Sequence, residues 1–224
     1  MKIAVLTGAG ISAESGLKTF RDSNGLWEGH DVMSVASPQG FEANPALVLD
    51  FYNQRRRQLL EVEPNEAHKA IATLEQTHEV IVITQNVDDL HERAGSKKVM
   101  HLHGELLKAK SDKDESYSIE INDDILIGDL CPKGHQMRPD IVWFGEAVPL
   151  IENAAEVVEG ADAIIIIGTS MQVYPAAGLI QYAKESAQTV YIDPNPAISP
   201  TSKIHIIAEN ATSGVIKAIS FLKL

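Results

Sequence analysis

The sequence predicts an α/β fold: an open, mainly parallel sheet covered by helices, with a smaller inserted lobe. Short β-branched runs without alternation indicate strands that are covered on both faces, as in a parallel sheet. Helical patterns lie between these runs, and this alternation favours right-handed crossover connections. Two stretches break the alternation, and they predict the smaller lobe.

Each predicted strand is an apolar run bounded by turn residues, and each predicted helix shows apolar positions at helical spacing. The strands are predicted at 2–7, 79–84, 97–101, 161–167, 189–192 and 203–207. The helices are predicted at 45–61, 65–78, 149–160 and 175–186. This order places a helical pattern before most of the returning strands, as an open α/β sheet requires.

The smaller lobe is predicted from two insertions. Residues from about 24 to 64 carry a loop and an Arg-rich helix, and residues 108–139 are polar and strand-poor. We therefore expect one domain over 1–224, divided into two lobes. The main lobe takes about 1–24, 65–107 and 140–224, and the small lobe takes about 25–64 and 108–139.

The composition predicts a soluble globular protein in a reducing compartment. Hydrophobic residues make up 44% and charged residues 22%, an ordinary soluble composition. The longest apolar run, 163–168, is far shorter than the ~20 residues of a membrane helix. The N-terminus enters a glycine turn rather than a signal-peptide cleavage site. Cys131 is the only cysteine, which excludes an internal disulfide and favours a cytoplasmic location.

The charge balance narrows the class of partner. The formal net charge is −12, whereas a nucleic-acid surface needs clustered Lys and Arg to meet phosphates. An acidic surface instead favours the approach of a basic partner, such as a lysine-rich protein segment. We expect neither nucleic-acid binding nor membrane association.

The first predicted strand ends in a glycine turn, residues 7–12 with the sequence TGAGIS. Glycines let the backbone turn tightly and approach a pyrophosphate, whose charge the free N–H groups of a following helix can meet. A plain tight turn explains the same residues. A dinucleotide-binding dehydrogenase would return to a second strand within ~30 residues and end it with an acidic residue. This chain does not, so a dehydrogenase is the less favoured nucleotide-binding class.

Three later segments carry polar or glycine-rich ends of predicted strands. Residues 83–91 (ITQNVDDLH) place amide and carboxylate side chains where open α/β sheets bind ligands, although a capped helix start explains them too. Residues 101–105 (HLHGE) contain two histidines at spacing i, i+2, so at most one faces a site in an extended chain. Residues 168–170 (GTS) form another turn suited to phosphate or ribose.

Six segments carry a family resemblance in this order. They are GAGISAESG at 8–16, TFRDSNGLW at 19–27, TQNVDDLHERAG at 84–95, HLHGE at 101–105, VWFGE at 142–146 and GTSMQVYPAAGL at 168–179. As a set they resemble the sirtuin family of NAD-dependent protein deacylases, over nearly the whole chain. The resemblance implies a single catalytic domain with a Rossmann-like lobe and a smaller lobe. NAD, consumed as a co-substrate, and the acyl-lysine of a protein substrate would meet in the cleft between them.

The resemblance also assigns NAD contacts to individual residues. The turn at 8–12 would meet the pyrophosphate, Phe20 and Arg21 would cover the nicotinamide-ribose, and Asp88 would hold the nicotinamide carboxamide. Asp193 and Ala211 would lie near the adenosine. The complete set that the resemblance assigns to NAD is Gly8, Ala9, Gly10, Ser12, Phe20, Arg21, Gln85, Asn86, Asp88, Gly168, Thr169, Ser170, Asp193 and Ala211.

His103 and Asn86 are the catalytic residues that the resemblance implies. His103 would be the general base, a role that suits an imidazole because its unperturbed pKa of ~6.5 lies near working pH. The products would be nicotinamide, acyl-ADP-ribose and free lysine. The residues that resemble the strip pairing with the substrate peptide backbone are Val142, Phe144, Gly145 and Glu146.

The predicted helix at 45–61 indicates which acyl groups the protein would remove. Tyr52 and Arg55 are at i, i+3, hence neighbours on one helix face, and Arg can grip a carboxylate with two charged hydrogen bonds. A solvated basic face is the plain alternative, since Arg56 and Arg57 are adjacent. Within the resemblance, Tyr52 and Arg55 are similar to the pair of members that remove succinyl and malonyl groups, and the small Ala36 would leave room for that acyl chain. We expect desuccinylase and demalonylase activity with some deacetylase activity.

The chain departs from the family at its metal site. Most sirtuins hold zinc on two Cys-x-x-Cys pairs, a tetrahedral thiolate site with four ligands, and here only Cys131 is present, with Ser111 where a first cysteine belongs. We expect no metal site and a small lobe held by packing. The side chains expected to pack there are Ile119, Ile121, Ile125, Leu126 and Ile127.

Two other functions share the predicted NAD site. One is ADP-ribosyl transfer to a protein, and the other is a non-catalytic NAD or ADP-ribose sensor. Retention of His103, Asn86 and Asp88 together argues against a sensor, because a binding module has no need of a base. The sequence predicts a monomer. His30, His68, His78, His91, His135 and His205 are expected to be surface or structural residues.

Overall fold

A computed structural model of the chain describes residues 1–18, 26–27, 29–114, 116–198, 200 and 203–224. Within these ranges the strands are β1 (Lys2–Thr7), β2 (Leu26–Trp27), β3 (His30–Asp31), β4 (Glu79–Thr84), β5 (Val99–His101), β6 (Gly104–Ser111), β7 (Ser118–Glu120), β8 (Met137–Ile141), β9 (Ala163–Ile167), β10 (Gln188–Ile192) and β11 (Ile204–Ile207). The α-helices of the same ranges are α1 (Val32–Val35), α2 (Pro38–Ala43), α3 (Pro45–Glu61), α4 (Glu66–Leu74), α5 (Leu90–Arg93), α6 (Ile151–Gly160) and α7 (Ala211–Leu222). Short 3-10 helices cover Ala9–Ile11, Ala13–Ser15 and Ala176–Tyr182.

The predicted parallel sheet is confirmed. Six of the described strands form it, in the order β11-β10-β9-β1-β4-β5. β1 lies near the centre, with Thr7 paired to Thr84 on one side and to Ile167 on the other. The chain runs from β1 to β4 and β5, then returns to place β9 on the opposite side of β1. This reversal opens a crevice at the carboxyl ends of β1 and β9, the position where open α/β sheets bind ligands.

Helices cover both faces of this sheet, which explains why its strands lack a polar face. Because successive side chains of a strand point to opposite faces, Ile3 and Val5 pack with α4 and α7. Ala4 and Leu6 pack instead with α6 and the 3-10 helix at Ala176–Tyr182. None of the helices in the described ranges combines the length and the apolar character needed to cross a bilayer.

The inserted stretch at 108–139 contains strands, so the expectation of a strand-poor segment is wrong. Described strands β7, β6 and β8 form an antiparallel sheet in that order. The sequence pattern did not predict β6, because an irregularity between Glu105 and Ala109 breaks its pairing register with β8 and disturbs the alternation of side chains. The pattern did not predict β8 because Pro139 lies inside that strand. Proline has no N–H for the strand pairing and is tolerated in an edge strand such as β8.

A second hydrophobic cluster joins α3 to this antiparallel sheet. Its buried residues are Val35, Ala36, Phe41, Val48, Leu49, Phe51, Tyr52, Leu59, Leu90, Leu106, Ala109, Ile125, Cys131, Met137, Ile141 and Trp143. Of the side chains expected to hold this region, Ile125 is 3% exposed and Ile121 packs at the edge of the cluster. The expectation is wrong for Ile119, Leu126 and Ile127, which are 42%, 60% and 59% exposed.

Polar groups of α3 also hold the antiparallel sheet, and the sequence analysis missed them. Arg56, read as part of a solvated basic face, is fully buried. Its Nε donates to the carbonyl oxygen of Leu106 at 2.9 Å, and its Nη1 donates to Oδ1 of Asn53 at 2.7 Å. The Asn53 amide in turn exchanges two hydrogen bonds with the backbone of Ile125. The signal available in the sequence was the helical phase, which turns Arg56 away from Arg55.

Candidate functional site

A cleft of about 770 Å³ lies at the carboxyl edge of the parallel sheet and faces the second hydrophobic cluster. The sequence-predicted residues that line it are Gly8, Ala9, Gly10, Ser12, Ala36, Tyr52, Arg55, Gln85, Asn86, Asp88, His103, Val142, Phe144, Gly145, Glu146, Gly168, Thr169, Ser170, Asp193 and Ala211. Phe20 and Arg21 lie outside the described residues. The structure thus brings the remaining proposed NAD, catalytic and acyl-lysine residues to one cleft.

Glycines make the floor of the cleft by letting two turns touch. The amide of Gly10 donates to the carbonyl oxygen of Gly168 at 2.8 Å. A Cβ on Gly10 would lie 2.6 Å from the Gly168 Cα, and Gly168 has a φ of +61°, which L side chains rarely adopt. The turn continues into the 3-10 helices at Ala9–Ile11 and Ala13–Ser15 rather than into an α-helix. The glycines therefore shape a flat backbone surface between β1 and β9.

Ser12, Asn86 and Asp88 form a connected polar group beside this floor. The Asn86 side-chain amide donates to Oγ of Ser12 at 3.1 Å, and that hydroxyl donates to Oδ2 of Asp88 at 3.0 Å. The amide of Leu90 donates to the other carboxyl oxygen at 3.2 Å. Burial nevertheless raises the pKa of Asp88 to about 6. Asp88 is thus a buried carboxyl group held in one orientation at the edge of the cleft.

A buried hydrogen-bond chain supports Asn86 from below. The Thr7 hydroxyl donates to Oγ1 of Thr84 at 2.9 Å, and the backbone amide of Asn86 donates to the same oxygen at 3.0 Å. Because the Thr7 proton is used in that bond, Nε2 of His91, 3.1 Å away, must be the donor to Thr7. The buried His91 is therefore a structural residue, as expected, and it is coupled to the position of Asn86.

The two histidines of the HLHGE segment have different environments. His101 has Nδ1 at 3.1 Å from the carbonyl oxygen of Asn86 and Nε2 at 2.8 Å from a carboxylate oxygen of Glu92. Although burial opposes it, these hydrogen bonds raise the pKa of His101. His103 lines the cleft, and its Nδ1 lies 3.0 Å from the carbonyl oxygen of Gln85. Burial lowers the pKa of His103, so only this histidine combines exposure to the cleft with a free-base form near neutral pH.

The opposite end of the cleft is formed by α3. Tyr52 is 1% exposed, and its hydroxyl accepts a hydrogen bond from Nε1 of Trp143 at 3.0 Å. Burial raises the pKa of Tyr52, so it stays a protonated phenol. Arg55 lines the same part of the cleft, with its guanidinium 3.8 Å from the centre of the Phe51 ring. Tyr52, Arg55 and the small Ala36, all lining the cleft, define what we term the acyl end.

The VWFGE segment connects the acyl end to His103. The amide of Val142 donates to the carbonyl oxygen of His103 at 2.9 Å, and the amide of Phe144 donates to that of Ala36 at 2.9 Å. Gly145 has a φ of +94°. The carboxylate of Glu146 accepts from the amide of Trp143 at 2.8 Å and pairs with Arg138. The segment is therefore a fixed turn that spans the cleft between the proposed base and the acyl end.

At the end of the cleft where the resemblance places the adenosine, the structure adds a contact that the sequence analysis missed. Ala211 begins α7, and Asp193 follows β10 with its Oδ1 accepting from the amide of Asn195 at 2.8 Å. Glu14 accepts hydrogen bonds from both the amide and the hydroxyl of Thr212, at 3.0 and 2.8 Å. A carboxylate at the start of a helix complements its free N–H groups, so Glu14 joins the glycine turn to α7. The two residues lie 198 positions apart, and no local pattern indicates the pairing.

The region in which the family resemblance would place zinc is organised by other groups. Cys131 is buried, and a hydrogen bond with Ser111 lowers the pKa of its thiol. Lys133 forms an ion pair with Asp114 at 2.7 Å. In the part of the chain that the structure describes, no three His, Cys, Asp or Glu side chains converge as metal ligands. The contacts described here between α3, Ile125 and β6 hold this region together.

Comparison with known proteins gives the family. The model of the Sir2 family matches residues 8–175. An NAD-dependent protein deacylase of Helicobacter pylori is 62% identical over 192 residues, covering 86% of this chain and 84% of the relative. One of Bacteroides thetaiotaomicron is 53% identical over 220 residues, covering 95% and 94%.

Solved structures agree with this assignment. A Sir2 homologue in complex with NAD superimposes with a TM-score of 0.87 at 38% identity, over 99% of this chain and 89% of that one. A Sir2 structure with a bound acetylated peptide gives 0.81 at 29% identity, over 99% and 93%. The protein described here belongs to the Sir2, or sirtuin, family.

Proposed function

We propose that this chain is an NAD-dependent protein lysine deacylase that removes succinyl and malonyl groups, with some deacetylase activity. Its products are nicotinamide, acyl-ADP-ribose and free lysine. The observation that carries the proposal is one cleft that holds His103 between a glycine-lined floor and the acyl end. The relatives from Helicobacter pylori and Bacteroides thetaiotaomicron, both named NAD-dependent protein deacylases, support the reaction class.

The glycine floor fits a dinucleotide. The two facing turns can touch only because glycine stands at Gly8, Gly10 and Gly168. A Cβ on any of these residues would come within 2.8 Å of backbone atoms of the facing turn. Such a surface suits a pyrophosphate, which needs close backbone approach. When bound, NAD supplies the electrophilic ribose carbon and the nicotinamide leaving group. Asp88 holds the nicotinamide amide, and Thr169, Ser170, Asp193 and Ala211 surround the adenosine.

His103 acts as the general base at the centre of the cleft. Its Nδ1 proton is used in the hydrogen bond to the carbonyl oxygen of Gln85, which leaves Nε2 as the proton acceptor. With its pKa lowered by burial, the ring is neutral at working pH and takes a proton from a ribose hydroxyl. Asn86, fixed by Ser12 and Thr84, positions that ribose.

The acyl end supports the preference for acidic acyl groups. Arg55 supplies a positive charge in a cleft whose wall there is largely apolar, so a carboxylate at the acyl terminus gains a charge-assisted hydrogen bond. The Tyr52 phenol adds a neutral donor. The VWFGE segment lines the cleft, and its backbone groups other than the amides of Val142, Trp143 and Phe144 would pair with an extended peptide, so that the substrate lysine points between His103 and the acyl end.

The cellular setting follows from charge and composition. A net charge of −12 favours lysine-rich protein substrates over nucleic acid. We place the enzyme in the cytoplasm as a monomer. The main lobe (1–24, 65–107 and 140–224) carries NAD, and the small lobe (25–64 and 108–139) carries the acyl end.

The test is mass spectrometry on acetyl-lysine and succinyl-lysine peptides of one sequence, with and without NAD, following nicotinamide release. The expected result is NAD-dependent loss of both groups, with succinyl removed faster. Acetyl loss alone would keep the deacylase and overturn the acyl preference. Absence of both losses, with label transferred from NAD to protein, would indicate ADP-ribosyl transfer, and NAD binding without nicotinamide release would indicate a sensor.

A matched pair of arginine variants isolates the acyl end. Arg55→Met removes the charge that lines the cleft. Arg57→Met is the same substitution at a 54% exposed side chain that pairs with Asp124. Only Arg55→Met should lower succinyl turnover relative to acetyl turnover, by about tenfold or more for the loss of a charge-assisted hydrogen bond. Equal ratios in the two variants would remove Arg55 from acyl recognition.

A further inference from the structure

The hydroxyl of Tyr52 has a fixed hydrogen-bond polarity. An indole N–H only donates, so the bond from Nε1 of Trp143 at 3.0 Å makes the phenol oxygen an acceptor there. The phenol proton is then directed away from Trp143. Tyr52 is buried on its other sides by packing against the rings of Phe51 and Trp27, and it lines the cleft. The phenol is thereby oriented as a donor toward the cleft.

Trp143 is itself held on three sides. The guanidinium of Arg138 stacks over its indole ring, 3.9 Å from the ring centre. The Trp143 amide donates to one oxygen of Glu146, and the other oxygen of that carboxylate pairs with Arg138. Phe41 packs against the same indole with ring centres 5.3 Å apart. The indole N–H therefore has one orientation, beside the ion pair of Arg138 and Glu146.

We infer that Trp143 is a specificity-determining positioning residue, which presents Tyr52 as a hydrogen-bond donor to acyl groups that end in a carboxylate. A carboxylate only accepts hydrogen bonds, so an oriented donor favours it over a neutral acyl chain of equal length. The inference rests on the proposed desuccinylase function and deepens it. Arg55 supplies the positive charge that attracts the carboxylate, and Trp143 sets the orientation of the Tyr52 O–H that donates to it.

The variant Trp143→Phe removes the N–H and keeps an aromatic ring in the stack. The assay compares kcat/KM for succinyl-lysine and butyryl-lysine peptides, which differ chiefly in the terminal carboxylate. We expect the succinyl-to-butyryl ratio to fall about tenfold, the effect of one hydrogen bond to a charged group. Trp27→Phe, the same substitution at the other ring that packs on Tyr52, should hold the ratio within about twofold.

A double-mutant cycle shows whether Trp143 acts through Tyr52. Tyr52→Phe alone should lower the ratio as Trp143→Phe does, and the double variant should lower it no further than Tyr52→Phe alone. Additive losses would show an independent role and overturn the inference. An unchanged ratio in Trp143→Phe would overturn it as well. If the unmodified enzyme shows no succinyl preference, the proposed function fails instead, so the two failures are distinguishable.

A spectroscopic readout covers the case in which Trp143→Phe does not fold. The chain has two tryptophans, so a ¹⁵N-labelled sample should show two indole N–H resonances, assigned with Trp27→Phe. The Trp143 resonance should shift in Tyr52→Phe and again when a non-hydrolysed succinyl-lysine peptide binds to the unmodified protein. A resonance that moves in neither case would show that the indole does not sense the phenol.

Discussion

Nδ1 of His103 lies 3.0 Å from the carbonyl oxygen of Gln85, in the same loop that carries Asn86 and Asp88. A carbonyl oxygen accepts, so Nδ1 carries the proton and Nε2 carries the lone pair. The amide of Val142 binds the backbone of His103 on its other side, at 2.9 Å. One hydrogen bond therefore sets the tautomer of the proposed base, and another sets the path of its loop.

The first prediction is that His103→Ala abolishes turnover and leaves NAD binding intact. Loss of a general base costs about 10²- to 10⁴-fold in kcat, and the side chain is not part of a hydrophobic cluster. The measurements are nicotinamide release and the shift in Tm on adding NAD. The control is His205→Ala, an exposed histidine that stacks on Phe221 away from the cleft. Near-normal turnover in His103→Ala would assign the base elsewhere.

The second prediction concerns the pH dependence of kcat/KM. Burial lowers the pKa of His103 below the ~6.5 of an unperturbed imidazole, so its neutral form persists into mildly acidic solution. Activity should be nearly constant above about pH 7.5 and should fall on acidification with a midpoint below about pH 6.5. Burial raises the pKa of Asp88 to about 6, so protonation of Asp88 contributes to the same limb. Asp88→Asn should make the limb shallower, and a midpoint above pH 7 would contradict the assignment.

The parallel sheet could be predicted from the sequence because its strands are continuous apolar runs. β1 and β4 occupy the predicted 2–7 and 79–84, and α3 occupies 45–61. A strand buried on both faces requires such a run, and the run leaves few alternatives. The motif residues could be gathered into one site for a related reason: they follow strands whose carboxyl ends share one edge of the sheet.

What could not be predicted depends on contacts between distant residues. Arg56 and Arg57 are adjacent in the sequence, but one is buried against the backbone of Leu106 and the other is exposed. Their difference comes from the sheet against which α3 packs, and β6 carries polar residues that gave no strand signal. The hydrogen bonds of Glu14 to Thr212 and of Trp143 to Tyr52 likewise join residues that are near only after folding.

The third prediction tests the glycine floor. A Cβ at Gly168 would lie 2.4 Å from the amide nitrogen of Ile11, at a residue with a φ of +61°. Gly168→Ala should therefore lower the free energy of unfolding by about 2–4 kcal/mol, from strain plus displaced backbone, and weaken NAD binding. Gly128→Ala separates the two causes, since Gly128 has a φ of +97° and open space around its Cβ. It should cost about 1 kcal/mol and leave NAD binding unchanged.

The fourth prediction tests what holds the antiparallel sheet. Arg56→Met leaves the carbonyl oxygen of Leu106 without its buried side-chain donor and removes one of the two donors to Oδ1 of Asn53, which should cost about 2–4 kcal/mol. Arg57→Met changes an exposed ion pair with Asp124 and should cost less than about 1 kcal/mol. Urea unfolding measures both variants. Equal losses would show that the buried hydrogen bonds of Arg56 contribute no more than a surface contact.

The fifth prediction is a loss of stability on mild acidification, caused by two buried histidines. His68 and His91 are fully buried with ring centres 4.9 Å apart. Asn65 accepts from Nδ1 of His68, and Thr7 accepts from Nε2 of His91. The other nitrogens, Nε2 of His68 and Nδ1 of His91, have no hydrogen-bond partner among the described residues. Protonation would place an unpaired N–H and a charge in the core, and burial accordingly lowers the pKa of His68 to about 4 and that of His91 well below 6.5.

Since both pKa values are depressed in the folded state, stability is full above the unfolded pKa and falls as the pH decreases. For His68 alone, the free energy of unfolding should drop by about 2 kcal/mol between pH 7.5 and pH 5. Urea unfolding across this range measures the slope. His68→Leu should remove about 2 kcal/mol of this drop and leave the part due to His91, even if the variant is less stable at pH 7.5, whereas His205→Leu, at an exposed site, should leave the drop unchanged. A drop of the same size in His68→Leu would assign the acid sensitivity to His91 or to carboxyl groups alone, because the leucine side chain binds no proton.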